Sequence, residues 1–390
     1  MPINRNVKYC SCLFILFFFI LSCGSNSKDN SQVNETKFSD TSSPLVCWEQ
    51  MGPAGFSKGI ASFVNLFIDN GQVYVAFQDG GDGSRISVMT YDKGKWTLLG
   101  SRIISPERAE YPSLYVENGI VYLAFQDIAN GGKASVVKYE NNNWSSLGER
   151  GISEGIAEVI NLEVKDGVPY LAFRDSSNGQ IGLTVMAFLD KKWQILGRPQ
   201  FSDGLVFDLD IAVDSKGTVY AVYCDDNKGR KTTAKAFVNG SWSSLGEPGF
   251  SKGSIQYLNL SLSEDVPYVA YTDQAIMGKA VIKVYNKQTQ SWEAFLGLAD
   301  SLTSEQVVFL TMYVEKGKPY LGFVDKRFNM KATVIQYQSG QFILKGSPGF
   351  SEGRLGYLKI FVSQGGVYAA FSDGTQQGRI TVFRCLEDSY

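Results

Sequence analysis

The 390-residue chain contains no histidine. That single absence removes Ser-His-Asp and Cys-His nucleophile activation, histidine proton shuttles and histidine metal ligation together. Any catalysis would fall to carboxylates, tyrosine or lysine. Helical periodicity is almost missing, so there is no strand-to-helix glycine loop to cradle a phosphate. A dominant charge is missing too: 37 basic residues face 39 acidic ones, a net charge of −2, or −4 once Arg5 and Lys8 are removed. Signs even mix at one repeat position, where Lys58, Glu154, Asp203, Lys252 and Glu352 stand. Nothing therefore builds a nucleic-acid or polyanion groove. The longest apolar stretch, Leu13 to Ile20, is too short to span a bilayer as a helix.

What is present is repetition. The hexapeptide Tyr74-Val-Ala-Phe-Gln-Asp79 returns with its tyrosine at Tyr122, Tyr170, Tyr220, Tyr268, Tyr320 and Tyr368, spaced by 48 to 52 residues. Its aspartate returns at Asp127, Asp175, Asp225, Asp273, Asp325 and Asp373. This period suits propeller blades and is too long for ankyrin or tetratricopeptide units. Within one unit, Asn65 to Ile68, Val73 to Gln78, Ile86 to Tyr91 and Trp96 to Leu99 read as four short strands separated by turn signals such as Asp69-Asn70-Gly71. The fourth recurs as Trp144 to Gly148, Trp193 to Gly197, Trp242 to Gly246 and, more loosely, Trp292 to Gly297. Phe342 replaces the tryptophan in the sixth unit.

The seventh unit stops after its third strand, Arg379 to Arg384, while a spare Trp48-Glu-Gln-Met-Gly52 precedes the first unit. An N-terminal strand that completes the C-terminal blade closes the ring and hides its edges. The expected fold is all-β, a seven-bladed β-propeller of four-stranded blades over residues 45–390. Its linkers are Gly55-Phe-Ser-Lys-Gly59 and the equivalents at Gly249 and Gly349.

With a tyrosine on the third strand before a tryptophan on the fourth, as in Tyr91 and Trp96 or Tyr139 and Trp144, the blade resembles the kelch and galactose-oxidase type. Together with the leader described next, the pattern is similar to bacterial propeller lipoproteins. The resemblance covers Val46 to Cys385 and implies architecture alone. The kelch Gly-Gly pair is replaced by the recurring aspartate, and neither a Trp-Asp repeat signature nor a sialidase Ser-x-Asp-x-Gly-x-x-Trp box occurs, so no catalytic residue carries over.

Arg5 and Lys8, the apolar core, and Ile20-Leu21-Ser22-Cys23-Gly24 form a lipoprotein processing box, with residues 1–22 as signal peptide and Cys23 as the acylated residue. Residues 23–44, rich in Ser, Asn, Asp and Lys, read as a disordered tether. The expected place is the bacterial envelope, held by lipid only. Gly24 rather than aspartate after the cysteine favours the outer membrane, on its surface or periplasmic face. Cys47 and Cys385 sit where a hairpin joins strands three and four in other units, so a disulfide would replace that covalent link. Cys224 remains as a small buried residue.

The seven aspartates each end a second strand before a Gly/Ser/Asn-rich loop, where a carboxylate fixes a turn by accepting backbone N–H groups. A group needed once per blade serves the fold. Positions that vary between blades are the candidates for a ligand. Nine residues before the tyrosine, or ten in the fourth unit, stand Asn65, Ser113, Asn161, Asp210, Asn259, Thr311 and Lys359. Two residues earlier come Phe63, Tyr111, Val159, Asp208, Tyr257, Phe309 and Tyr357. With alternate residues sharing a strand face, these form a polar ring beneath a mostly aromatic ring at the mouth of the channel. Such a mouth suits an uncharged polar ligand such as a glycan, and equally the residues could pack and bond between blades.

The sequence thus points to a monomeric, lipid-anchored surface protein that binds a glycan or protein without cofactor, metal or catalysis. The alternatives are a carboxylate-dependent glycoside hydrolase using Asp208 and Asp210, and a periplasmic scaffold for envelope assembly. A Cys23→Ala variant is expected to lose both its fatty-acid label and its membrane fraction. Unchanged membrane association would place the anchor elsewhere.

Overall fold

The computed structural model describes residues 47–100, 104–202, 204–297 and 301–386. The expected signal peptide, Cys23 and the expected tether lie outside these residues. Among the described residues 28 strands, β1 to β28 in chain order, form seven antiparallel four-stranded sheets. In blade 1 these are β2 (Ala61–Asp69), β3 (Gln72–Asp79), β4 (Arg85–Asp92) and β5 (Lys95–Leu98). The innermost strands of the other blades are β6 (Ala109–Glu117), β10 (Ala157–Lys165), β14 (Val206–Val213), β18 (Ile255–Ser263), β22 (Val307–Glu315) and β26 (Leu355–Ser363). Each packs against the next and β26 against β2, closing a ring around a central channel.

Every interface between neighbouring blades holds one apolar cluster. The fourth residue of the hexapeptide, Phe77, Phe125, Phe173, Tyr223, Tyr271, Phe323 or Phe371, is among the largest fully buried side chains. Burying each such ring stabilises the fold by roughly 1.5–3 kcal/mol.

The fourth-strand tryptophans are clamps. Trp48, Trp96, Trp144, Trp193, Trp242 and Trp292 donate their indole N–H to a carbonyl of the preceding blade at 2.7 to 2.9 Å. Linker phenylalanines stack on four of them, as Phe56 on Trp96 at 4.5 Å and Phe201 on Trp242 at 4.0 Å. The glycine that ends a fourth strand is needed twice over. Gly100 has a φ of 71°, and a side chain there would come within 2.9 Å of Trp144. Phe342 offers no N–H, and Phe295 packs edge-on against it instead.

The recurring aspartates are 0 to 5 % exposed and join blade to blade. Asp273 accepts Lys252 N and Gly253 N from the incoming linker at 3.0 and 2.9 Å, and Ala275 N from its own 3₁₀ turn at 2.9 Å. Asp79 accepts the equivalent three N–H groups. The linker serine completes the staple by accepting the N–H that opens the preceding blade's third strand, as Ser57 does from Ile380 at 3.1 Å. The turn-fixing role read from the sequence is therefore what six of the carboxylates perform, and Asp79 and Asp273 hold the linker as well. Blade 2 departs from the pattern: Asp127 pairs with Arg150 at 3.0 Å and makes no cap bond to its turn.

Blade 7 is closed by the N-terminal strand. β1 (Trp48–Gln50) pairs antiparallel with β28 (Arg379–Cys385), beside β27 (Gly366–Asp373) and β26. The expected disulfide joins Cys47 to Cys385, 338 residues apart, with Cα atoms separated by 4.8 Å. The register differs by one residue from a facing pair. Trp48 lies opposite Cys385, and the bridge runs diagonally.

One expectation about the blade shifts. Inner strands start four residues earlier than the sequence suggested, at Ala61 in blade 1, because a β-bulge between Ser62 and Asn65 interrupts the alternation that marks a strand. The residue inside that bulge is left-handed in six blades, Phe63, Tyr111, Val159, Tyr257, Phe309 and Tyr357, with φ between 49° and 55°. None is glycine, so each position costs about 1–2 kcal/mol.

Removing the disulfide by Cys47→Ser with Cys385→Ser should lower stability by at most about 5–6 kcal/mol on the chain-entropy account. The Trp48–Phe350 stack at 3.9 Å and the Trp48–Lys345 bond keep β1 seated. Denaturant unfolding with and without reductant checks this, with equal midpoints as the contrary result.

A candidate ligand site in the central channel

Position along an inner strand sets depth in the channel. The linkers, the 3₁₀ turns and the first residues of the inner strands share one face, because Ala61 pairs with Asp79. The bulge residues stand at that mouth and the polar ring lies below them, as the sequence indicated. The reason is different. The two rings face the channel through a left-handed bulge and not through simple alternation. Together they line a cavity of about 310 Å³.

The mouth is asymmetric. Tyr257, Phe309, Tyr357, Phe63 and Tyr111 form a continuous arc across blades 5, 6, 7, 1 and 2, with ring centroids 4.9 to 5.8 Å apart. Val159 and Asp208 fill the rest of the circle.

The polar ring largely serves the frame. Asn65 donates to Pro112 O at 2.7 Å, Asn259 donates to Leu310 O at 3.1 Å, and Ser113 accepts Leu162 N at 2.9 Å. Each bond reaches from one inner strand to the next. Asp210 accepts Leu260 N at 2.7 Å, Ile211 N at 3.0 Å and the Asn161 amide at 2.7 Å. Asp208 accepts Leu258 N at 2.9 Å and Leu209 N at 3.0 Å. Both acids are thus clasps onto blade 5. Between-blade bonding, the other role open to these residues, is what Asn65, Ser113, Asn161, Asp210 and Asn259 perform.

Some polar capacity is left over. The buried Asn161 Oδ1 and Thr311 Oγ1 have no hydrogen-bond partner, and Thr311 is only 2 % exposed. Lys359 has no hydrogen bond or ion pair among the described residues, though its charge acts on the acids across the channel.

A third storey escaped the sequence reading. Two residues further along each inner strand come Phe67, Tyr115, Glu163, Ala212, Ser261, Tyr313 and Phe361, lining a cavity of about 320 Å³. Tyr313, Phe361, Phe67 and Tyr115 form a second arc, with centroids 4.7 to 4.8 Å apart. Glu163 follows Tyr115 on the neighbouring blade, and no described residue hydrogen-bonds to it. Extending the count from the tyrosine by two positions would have found all seven. The signal was present but diluted by the apolar members.

The acids titrate abnormally. Burial pushes Asp210 up to about 6, with Lys359 and the Leu260 N–H opposing and Asp208 adding to the rise. Burial also raises Asp208, against the Leu258 and Leu209 N–H groups and Lys359. Glu163 is held well above the usual carboxylate range by burial and then by Asp210, against Lys359. It keeps some contact with channel solvent, but protein encloses it on every side. Burial likewise pushes the Cys224 thiol up to about 12, and its Sγ donates to Arg230 O at 3.3 Å. No group of three or more His, Cys, Asp or Glu among the described residues could hold a metal ion.

A carboxyl raised above its unfolded value binds more protons when folded, so its contribution to stability declines as pH rises from near 4 through about 6. Lys359→Met should move the Asp210 midpoint above about 6 and deepen that decline. Carboxyl-carbon NMR titration of both proteins checks it, and an unmoved midpoint would show that Lys359 does not act on Asp210.

No protein-family model matches the chain, and no curated protein matches its sequence. Among solved structures, a polysaccharide lyase of family PL25, an ulvan lyase bound to -[GlcA(1-4)Rha3S]-, aligns over 87% of this chain and 96% of its own, with 12% identity and a TM-score of 0.55. AofleA from Arthrobotrys oligospora aligns over 76% of this chain and 88% of its own, with 10% identity and a TM-score of 0.51. At such identities what is shared is the propeller fold.

Proposed function

We propose that the chain is a lipid-anchored, non-catalytic glycan-binding protein of the bacterial envelope, placed at the outer membrane through Cys23, which takes its ligand at the linker-side mouth of the channel. The observation that carries this reading is the unbroken arc of five mouth aromatics set over a ring of polar residues. Sugar rings offer apolar C–H groups to pack on aromatics and hydroxyls to pair with polar side chains. Here Tyr257, Phe309, Tyr357, Phe63 and Tyr111 supply the aromatic surface, while Lys359, which makes no hydrogen bond among the described residues, supplies a donor. That a propeller of the same fold is an ulvan lyase bound to an oligosaccharide agrees with a carbohydrate ligand, as an analogy of fold.

Hydrolysis by Asp208 and Asp210 is the weaker reading. A two-carboxylate mechanism needs carboxyl groups free to exchange protons with sugar and water, and these two are committed to backbone N–H groups of blade 5. A protein ligand would use broad, flat contact instead of a recessed aromatic circle.

A glycan array with the full-length protein should identify binding oligosaccharides and show no release of reducing ends. Phe63→Ala with Tyr357→Ala should weaken that binding at least about tenfold, as loss of two stacking faces implies. Binding that survives in this variant would move the site to an outer surface, and turnover would restore the hydrolase.

A further inference from the structure

The two aromatic arcs cover only part of the channel wall. The second arc ends at Tyr115 on blade 2, and the next position around the ring is Glu163 on blade 3, followed by Ala212 on blade 4 with Asp210 one storey above it. Three carboxyl groups, Glu163, Asp208 and Asp210, share the wall of a channel into which one lysine, Lys359, projects from blade 7. A ligand group near Glu163 therefore meets acids on one side and the aromatic rings of Tyr115 and Phe67 on the other. Both attract a cation. An anionic sugar would find a single lysine and be repelled from the opposite wall.

Unused capacity points the same way. Asp208 and Asp210 spend oxygens on backbone N–H groups, whereas Glu163 has no hydrogen-bond partner among the described residues.

We propose that the inner storey of the channel holds an amine-bearing sugar residue as its ammonium ion, between the Glu163 carboxyl and the Phe67–Tyr115 aromatic wall. This rests on the glycan reading above and adds the charge of the sugar.

The groups that face Glu163 from neighbouring blades are Tyr115, Asp210, Tyr313 and Lys359. Of these only Lys359 is cationic, and it is matched by Asp210. Burial, and then Asp210, hold Glu163 above the usual carboxylate range, against Lys359. An incoming ammonium ion supplies the missing positive charge and favours the ionised carboxyl, so binding is linked to release of a proton to solvent. Binding of the amine should accordingly weaken as pH falls.

Calorimetry with the full-length protein, using a glucosamine trisaccharide, its fully N-acetylated counterpart and cellotriose, tests the charge. The amine form should bind at least tenfold more tightly than the neutral sugars, with buffer-dependent heat that reports proton release. Glu163→Gln should erase both the preference and the proton release, bringing the amine's affinity down to that of the neutral sugars. Lys359→Met should strengthen amine binding, and a gain in one variant beside a loss in the other cannot come from general unfolding. Neutral sugars that bind as tightly as the amine, or a preference that survives in Glu163→Gln, would overturn the inference and leave the glycan reading standing. Butylammonium chloride is titrated as well. If it binds through Glu163 while no sugar does, the cation site holds and the glycan reading falls. If neither binds, both fall.

Discussion

The ring depends on a carboxylate buried at each blade junction. An ionised aspartate at 0 to 5 % exposure is tolerable only when its oxygens accept hydrogen bonds, because desolvation otherwise costs several kcal/mol. The donors come from three directions: the incoming linker, the 3₁₀ turn, and the hydroxyl on the blade's third strand, as Thr233 gives to Asp225 at 2.9 Å. The carboxylate thus ties turn geometry to the linker path at Asp79 and Asp273, and to the third strand at Asp175, Asp225 and Asp373. The linker glycine follows from the same requirement. A side chain at Gly59 would fall 2.1 Å from Gly81 N, so the chain can approach the turn only without one.

Tryptophan clamps and serine staples repeat that logic at other radii, which is why the blade interfaces look alike from Phe77 to Phe371. Repetition of structural residues leaves the inner strands as the place where blades are free to differ. Even there the freedom is partial. Asn65, Ser113, Asn259 and Asp210 still reach to the next inner strand, so the channel is lined by groups that also hold it shut. What remains for a ligand is the difference between a side chain's bonding capacity and what its neighbours use, and that difference is concentrated at Glu163 and Lys359.

Blade 4 shows how one departure can be both architectural and electrostatic. Asp208 is the mouth residue without a left-handed φ, and with Asp210 it replaces aromatic and amide groups by carboxylates that bind the N–H groups of blade 5. Their burial raises their proton affinity, and Asp210 passes part of that effect to Glu163. The acidic side of the channel is therefore coupled, while the aromatic side from Tyr257 to Tyr111 carries Lys359 as its one charged lining residue. Ligand chemistry is set by this division across the ring more than by any single residue.

Blade number, strand order, the closing strand and the Cys47–Cys385 bridge were all legible in the sequence, because they follow from a period near 48 residues and from one strand found at the wrong end. Those are local or counting properties, and the physics behind them, edge pairing and turn formation, acts the same way in every copy. The polar and mouth rings were also locatable by counting from the tyrosine. Their roles were not. Whether Asp210 faces a ligand or the N–H of Leu260 depends on the stagger between inner strands about 50 residues apart in sequence, and the bulge that turns Phe63 and Tyr111 into the mouth is invisible to alternation. Glu163 acquires its character only from Asp210, Lys359, Tyr115 and Tyr313 on four other blades. Burial and through-space charge are properties of the closed ring, so the chain determined the frame, and only tertiary structure decided which of its side chains remain available.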